Sequence, residues 1–486
     1  MASLSDFVKA YDVRGLVPEQ LSPQVATAVG AAFAEVVVLP EGHSGIVVGH
    51  DMRPSSPELS AAFADGVTSR GVDVAVLGLT STDELYYASG ALDRPGAMFT
   101  ASHNPARYNG IKLCRSAARP IGQETGLAEV RDLAQWLLDS PTGLFAPTRG
   151  RGTVEAREVL ADYAAFLRSL VDLSGIRPLT VVVDAGNGMG GHTVPAVLGT
   201  AAGLPELPLT VVPLYFELDG TFPNHEANPL DPANIVDLQA AVVHHGADLG
   251  LAFDGDADRC FVVDADGTPV SASAITALVA AREIERARAA GDTEIRVVHN
   301  VICSRAVAEV IREHGAQPVR ARVGHSYIKA DMARTGAVFG GEHSAHYYFR
   351  DFWFADTGML AALHVLAALG GQHAPLSALV AGYERYPSSG EINSTVEDAA
   401  AVADTLRAWA SVRQAGIDEL DGLTVTSPGQ GGPMWWFNVR ASNTEPLLRL
   451  NVEAADRETM EHVRDEILGL VRAGARGGHE SERSHD

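Results

Sequence analysis

Three stretches of the chain repeat one grammar, and that repetition limits the fold more than any other feature. "SGIVVGHD" (44–51) leads into a helical pattern through "PELSAAFADGVTSRG" and then "VDVAVLG" (72–78). "LTVVVDAGNG" (179–188) is followed by a helical stretch from about residue 190 and then "LTVVPLY" (209–215). "EIRVVHNV" (294–301) leads through "SRAVAEVIREHGA" to "PVRARVG" (318–324). Each is a β-branched run, a turn, an amphipathic helix and a second run, which is the pattern of βαβ units in a parallel or mixed sheet. A recurrence at intervals above a hundred residues predicts three similar α/β domains, not a short-period solenoid.

Composition breaks divide the 486 residues. "SPTGLFAPTRGRG" (140–152) is rich in Pro, Gly and Arg, a softer break follows residue 258, and a third lies near "YERYPSSGEINS" (383–394). The expected partition is therefore α/β domains over 1–149, 150–258 and 259–384, and a smaller α+β domain over 385–475. That last unit reads as a helix at about 397–416, strands "MWWFNVRAS" and "LLRLNVEA", and a final helix at about 456–473. Residues 476–486 form a polar tail, expected to be disordered.

The net charge of −24 argues against nucleic acid or anionic membranes as partners, so an anionic ligand needs a local cluster of cations or a metal. No apolar run is long enough to span a bilayer, and the first residues lack the pattern of an export signal. Cys114, Cys260 and Cys303 match no metal or redox spacing and fit reduced thiols, so a cytoplasmic protein is expected.

"LGLAFDGDADRCFVVDADG" (249–267) sets Asp254, Asp256 and Asp258 two apart between apolar strands. Alternate residues of an extended loop face one way, so the three carboxylates are expected to converge on one hard cation. An EF-hand fails here, because its sixth position is Arg259 and its twelfth Ala265. So few protein oxygens leave coordination positions for water and a phosphoryl oxygen, the habit of Mg²⁺. In "MFTASHNPARYNGIK" (98–112), Ser102 precedes His103, Asn104 and Pro105, a turn signal, and Lys112 follows. Adjacent side chains in an extended segment diverge, so a Ser102–His103 dyad is not expected. A phosphoserine beside the aspartate loop, with Lys112 and Arg259 as cations, fits better.

"TASHNP" with "YNGIK", "DGDADR", "GEHSAH" and "RASNTEP", in that order, resemble the α-D-phosphohexomutases, and the likeness runs from "KAYDVRG" (9–15) to "LLRLNVE" (447–453). The resemblance implies four domains around a central cleft, three of them related α/β units. It implies reversible interconversion of hexose 6- and 1-phosphates, of mannose or glucose, through a phosphorylated Ser102 and a hexose 1,6-bisphosphate. Mg²⁺ would sit on Asp254, Asp256, Asp258 and the Ser102 phosphoryl group. The partner would be a small phosphosugar, with no obligate protein partner. In "GGEHSAHYYFRDFW" (340–353), Glu342, Ser344 and His346 are expected to alternate onto one side of an extended loop. By resemblance Glu342 and Ser344 read the sugar hydroxyls. Arg440, Ser442, Asn443, Thr444 and Arg449 form an anion cradle in "VRASNTEPLLRL", where the family holds the non-reacting phosphate. Tyr11 and Arg14 join the substrate set. Lys112, His103, Arg14, Arg259, His325 and His346 are the candidates for proton transfer or charge stabilisation.

One departure stands out. Family members often carry lysine in the strand-turn where this chain has Ile302, in "HNVICSR", with Arg305 and Lys329 as candidate replacements. Three rivals remain. Phosphoglucosamine mutase usually has glutamine where this chain has His343. A dinucleotide-binding oxidoreductase is suggested by Gly186, Gly188 and Gly191 in G-x-G-x-x-G spacing after a strand. A sugar-phosphate binder without turnover is the third.

Overall fold

The structure is a computed structural model, which describes residues 3–8, 11–140, 150–429, 432–441 and 447–474. Four sheets follow one another along the chain. In the first, the apolar runs Gly45–His50 and Asp73–Leu79 are parallel neighbours, as the βαβ reading requires, with Gly96–Phe99 on the other side. Two further strands lie beyond the repeat. Tyr108–Cys114 runs antiparallel to Gly96–Phe99, and Val13–Leu16 antiparallel to Tyr108–Cys114. This return hairpin carries Ser102 on its connection and Lys112 in its second strand.

The second sheet keeps Leu209–Leu214, Leu179–Asp184 and Leu249–Phe253 parallel and closes with antiparallel Cys260–Asp264 and Pro269–Val270. The break expected after residue 258 therefore falls inside a hydrogen-bonded hairpin, and this sheet ends at Val270. The break expected at 149 is likewise displaced, because Val154–Ala156 pairs with Asp73–Leu79 and belongs to the first sheet. The third sheet, ordered Gln317–Ala321, Arg296–Asn300, Phe339–Gly341, Tyr347–Phe349 and Ala355–Asp356, repeats the design: a parallel βαβ core and an antiparallel return.

The fourth sheet is antiparallel throughout, Ser388–Thr395, Leu447–Ala454, Trp435–Ala441, Leu423–Thr426 and Gly416–Asp418. Its strands alternate: Phe437, Val439, Leu448, Leu450 and Val452 pack with Leu406 and Ile467 of helices Ala399–Val412 and Arg457–Gly474. The opposite face carries Asn438, Arg440, Arg449, Asn451 and Glu453, of which Asn438, Asn451 and Glu453 are buried, Glu453 accepting from the Arg305 N–H of the third unit (2.9 Å). Contacts such as Arg320 Nη1 to Asp418 (2.8 Å) and Val323 N–H to Asp421 (2.8 Å) tie this unit to the third.

Candidate active site

The connection after strand Gly96–Phe99 is not extended. Ser102 sits at φ +49°, in the left-handed region that costs a β-substituted residue free energy. What holds it there is Arg53, a buried residue on the turn after strand Gly45–His50. Its guanidinium donates to the carbonyls of Ser102 (2.9 Å), Asn104 (2.7 Å), Pro105 (3.0 Å) and Tyr108 (2.9 Å), and its fifth N–H reaches Asp51 (3.2 Å). Every donor of the fork is used, four of them on the serine loop.

The left-handed turn also corrects the expectation that Ser102 and His103 diverge. Ser102 Oγ lies 3.2 Å from His103 Nδ1. Arg259 donates to that same nitrogen at 2.8 Å, and arginine only donates, so Nδ1 is an acceptor and the ring is neutral. Burial, then Arg259, hold His103 well below the usual histidine range.

Ser102 Oγ donates to Asp254 Oδ2 at 2.8 Å, which brings the two sequence motifs into contact across 152 residues. Close approach depends on Gly255, where an added Cβ would stand 2.4 Å from the Ser102 carbonyl oxygen. The acidic loop turns through Ala257 at φ +61° instead of remaining extended, yet the carboxylates converge as expected. One oxygen from each of Asp254, Asp256 and Asp258 lies within 4.8 Å of the others, and all three side chains are buried.

Lys112 Nζ binds Asp256 Oδ2 (2.7 Å) and Asp258 Oδ2 (2.6 Å), while Arg259 lies 3.4 Å from Asp254 and 3.7 Å from Asp258. Burial alone would lower Lys112, but Asp256 and Asp258 outweigh it and keep the ammonium charged. For Asp254, burial and then Asp258 and Asp256 push the carboxyl well above the carboxylate range. The remaining oxygens, Asp256 Oδ1 and Asp258 Oδ1, are buried without a hydrogen-bond partner. Unpartnered carboxylate oxygens in a converging set are the donor chemistry of a hard divalent cation, so the residues present fit one.

The "GEHSAH" segment is a tight turn, not the extended edge expected from alternation: Ala345 has φ +61°, and Glu342 N–H bonds to the His346 carbonyl at 3.0 Å. Ser344 Oγ still meets His346 Nδ1 at 2.9 Å, and Arg259 Nε donates to His346 Nε2 at 3.1 Å. Hydrogen bonds therefore run from Ser344 through His346 and Arg259 to His103, whose Nδ1 lies beside Ser102 Oγ. Glu342 turns inward, 1% exposed, where its carboxylate accepts from Tyr348, Asn300 and the Gly324 N–H.

Arg14 donates to Asn104 (2.6 Å) and Asp12 (2.7 Å) at the edge of the serine loop. Tyr11 meets His325 edge to face, with ring centroids 4.4 Å apart. His325 opens helix His325–Thr335, its Nδ1 buried without a partner, and burial followed by Lys329 and Lys112 lowers it to about 3. In the fourth unit, Arg440 and Arg449 pair across adjacent strands and share Glu391 at 3.8 and 3.5 Å. Ser442, Asn443 and Thr444 lie outside the described residues.

Ile302 lines a cavity of about 400 Å³ with His343, Trp436, Asn451 and Glu453, between the third and fourth units. Neither expected replacement reaches that cavity lining. Lys329 is buried against Asp356 (2.6 Å) and the Tyr86 ring (3.9 Å), beside Lys112 and His325, and Arg305 pairs with Glu309 (3.0 Å). Two glycines of the apparent dinucleotide fingerprint have a packing cause, and the third, Gly186, sits at φ +51°. A Cβ on Gly188 would meet the Gly255 carbonyl oxygen at 2.7 Å, and one on Gly191 the Phe216 carbonyl oxygen at 2.2 Å.

Two groups escaped the sequence reading. Arg53 had a signal in "GHDMRP", an Asp-x-Arg at a strand end, but its targets are 49 to 55 residues away. Thr82 gave none: its hydroxyl reaches Asp256 Oδ2 at 2.6 Å from a helix start 174 residues distant.

Comparison with known proteins agrees along the whole chain. Family models match in order: phosphoglucomutase/phosphomannomutase α/β/α domain I over residues 6–135, domain II over 161–267, domain III over 272–386 and the C-terminal domain over 391–470. A phosphomannomutase of Escherichia coli is 39% identical over 97% of this chain and all of its own. The phosphohexose mutases of Xanthomonas campestris pv. campestris are 39% identical over 96% of this chain and 98% of theirs. The crystal structure of a phosphoglucomutase/phosphomannomutase family protein from Burkholderia thailandensis superposes with a TM-score of 0.84 at 32% identity, covering 98% of this chain and 99% of that one. Four such domains, in this order and with this site between them, define a phosphohexomutase, an isomerase that shifts a phosphoryl group within a hexose phosphate. The chain belongs to the phosphoglucomutase/phosphomannomutase family. The oxidoreductase reading is thereby set aside.

Proposed function

We propose that the protein interconverts the 6- and 1-phosphates of mannose or glucose, with Ser102 carrying the phosphoryl group and a hexose 1,6-bisphosphate as the intermediate. The observation that carries this reading is the contact of Ser102 Oγ with Asp254 inside a buried set of three carboxylates and two cations. Asp254, Asp256 and Asp258, with a phosphoryl oxygen on Ser102, would hold Mg²⁺. When bound, that ion would supply positive charge to stabilise the migrating phosphoryl group.

The chain's own residues supply the rest. Arg53 fixes the serine loop, so that Oγ is presented at one place. Lys112 and Arg259 provide fixed cations beside Ser102, where negative charge grows as the Oγ–P bond breaks. The sugar hydroxyl forms the new O–P bond and gives up its proton. His325 has a buried Nδ1 without a hydrogen-bond partner, and we assign it as the acceptor. The negative charge of a bound phosphosugar offsets Lys329 and Lys112 and raises its affinity for the proton. His346, positioned by Arg259 and Ser344, faces the same loop, and Ser344 remains free to turn its hydroxyl to the sugar. Arg440 and Arg449 hold the phosphate that does not react, and Glu391 keeps the two forks aligned between turnovers.

No helix among the described residues is long and apolar enough to cross a membrane. The test is turnover of mannose, glucose and glucosamine 1-phosphates by one preparation, with Mg²⁺ and bisphosphate primer. The mannose or glucose ester should lead. A preference for the glucosamine ester would move the assignment to that mutase, and no turnover of any ester would leave only a binder.

A further inference from the structure

The helix Thr82–Ala91 of the first unit begins in an unusual place. Thr80, Ser81, Thr82, Asp83 and Glu84 are all at most 2% exposed, so a wholly polar turn is buried where three units meet. Burying so many polar groups is unfavourable unless each is paired, and the pairings are specific. Thr82 contacts Asp256 twice, through its N–H to the carbonyl oxygen (3.1 Å) and its hydroxyl to Oδ2 (2.6 Å). Asp83 accepts from Ser81 Oγ (2.5 Å), from Tyr163 OH of the second unit (2.6 Å) and from Thr357 Oγ1 of the third (2.7 Å). Thr357 in turn caps helix Gly358–Gly370.

We infer that Thr82 is a positioning residue for the metal site and that Asp83 anchors it. Asp256 has two oxygens. Thr82 and Lys112 together occupy Oδ2, which leaves Oδ1, the one without a partner, as the oxygen free for the cation. A carboxylate with one oxygen so engaged cannot rotate to present the other face, and its ligand atom is fixed before the ion arrives. The Asp83 tie gives that hydroxyl a fixed origin: through Tyr163 and Thr357 it locks the helix start of the first unit to the second and third. Ser102 arrives on the first unit, Asp254–Asp258 on the second and His346 on the third, so the same tie holds the three parts of the site in register.

This inference rests on reading the three aspartates as a metal site. The experiment is Mn²⁺ titration followed by electron paramagnetic resonance, alongside kcat and KM, for the wild-type chain, Thr82→Val, Thr82→Ser and Tyr163→Phe. If the wild-type chain binds no Mn²⁺, the metal-site reading itself fails. If it binds, Thr82→Val should weaken Mn²⁺ by about 10- to 100-fold. Thr82→Ser, which keeps the hydroxyl, should stay within about threefold of wild type, and kcat should fall in Thr82→Val at little changed sugar-phosphate KM. Tyr163→Phe removes one tie without touching Asp256 and should weaken Mn²⁺ by several-fold, which decides the matter even if Thr82→Val does not fold. Unchanged Mn²⁺ affinity in Thr82→Val, failure of Thr82→Ser to restore it, or unchanged affinity in Tyr163→Phe would each overturn the inference.

Discussion

Arg53→Lys keeps the positive charge beside Asp51 and removes only the fork. The guanidinium makes five hydrogen bonds with its five N–H groups, four to carbonyls of residues 102–108 and one to Asp51. An ammonium has three donors from one nitrogen, so at least two of these buried or partly buried acceptors lose their partner. At about 1.5–3 kcal/mol for each bond to a charged group, the folded protein should lose about 3–6 kcal/mol. The loss falls on the loop that holds Ser102 in the left-handed region, so Oγ should drift from Asp254. A displacement near 1 Å at a reacting atom costs about 100-fold in rate. Differential scanning calorimetry and steady-state turnover read the two effects separately. A variant that melts within a degree or two of wild type and turns over within about threefold would refute the claim that Arg53 sets the serine.

Three further perturbations follow from the same geometry. Gly255→Ala places a Cβ 2.4 Å from the Ser102 carbonyl oxygen, between two backbones that cannot both yield, so turnover should fall about 100-fold or more at nearly unchanged secondary structure by circular dichroism. Lys112→Met leaves Asp256 and Asp258 without their shared cation. The metal-free protein should lose about 3–5 kcal/mol, and saturating Mg²⁺ should recover part of the lost melting temperature, more than the same ion gives the wild type. Asp83 is pushed from 3.8 up to about 7 by burial, against the opposing pull of its hydroxyl donors. The folded chain then holds a proton that the unfolded chain has released, so its contribution to stability is full below about pH 4 and declines as pH rises to about 7, by roughly 4 kcal/mol at most. The melting temperature of Asp83→Asn minus that of wild type should therefore rise between about pH 4 and pH 7 and level off above that. A flat difference would show that Asp83 does not carry the proton.

Much of this molecule was legible in its sequence because the signals were local. The β-branched runs and the helices between them gave three sheet cores, and the Asp-x-Asp-x-Asp spacing gave the acidic cluster, since strand and turn geometry converts short spacing directly into proximity. The antiparallel returns were less visible: Tyr108–Cys114 mixes polar and apolar residues, and the soft break read after residue 258 falls inside the hairpin that pairs Leu249–Phe253 with Cys260–Asp264. The expectations at Ser102 and around Ser344 assumed extended backbone; the left-handed Ser102 brings its hydroxyl to His103 instead of away from it, and the left-handed Ala345 makes a turn in which Ser344 and His346 nevertheless meet. Neither is glycine or asparagine, so no residue type announced the turn. Arg53, Thr82 and Asp83 stayed hidden for a different reason. The loop partners of Arg53 lie 49 to 55 residues further along its own unit and those of Thr82 and Asp83 come from other units, and no periodicity encodes which turn or helix start meets which loop.

The central claim is that Ser102 stores the transferable phosphoryl group. The most direct measurement is peptide mass spectrometry of the protein after exposure to hexose 1,6-bisphosphate, with turnover measured on the same sample. The peptide containing Ser102 should gain the mass of one phosphate, and Ser102→Ala should lack it and lose nearly all mutase activity. Phosphate on another residue, or undiminished turnover in Ser102→Ala, would contradict it.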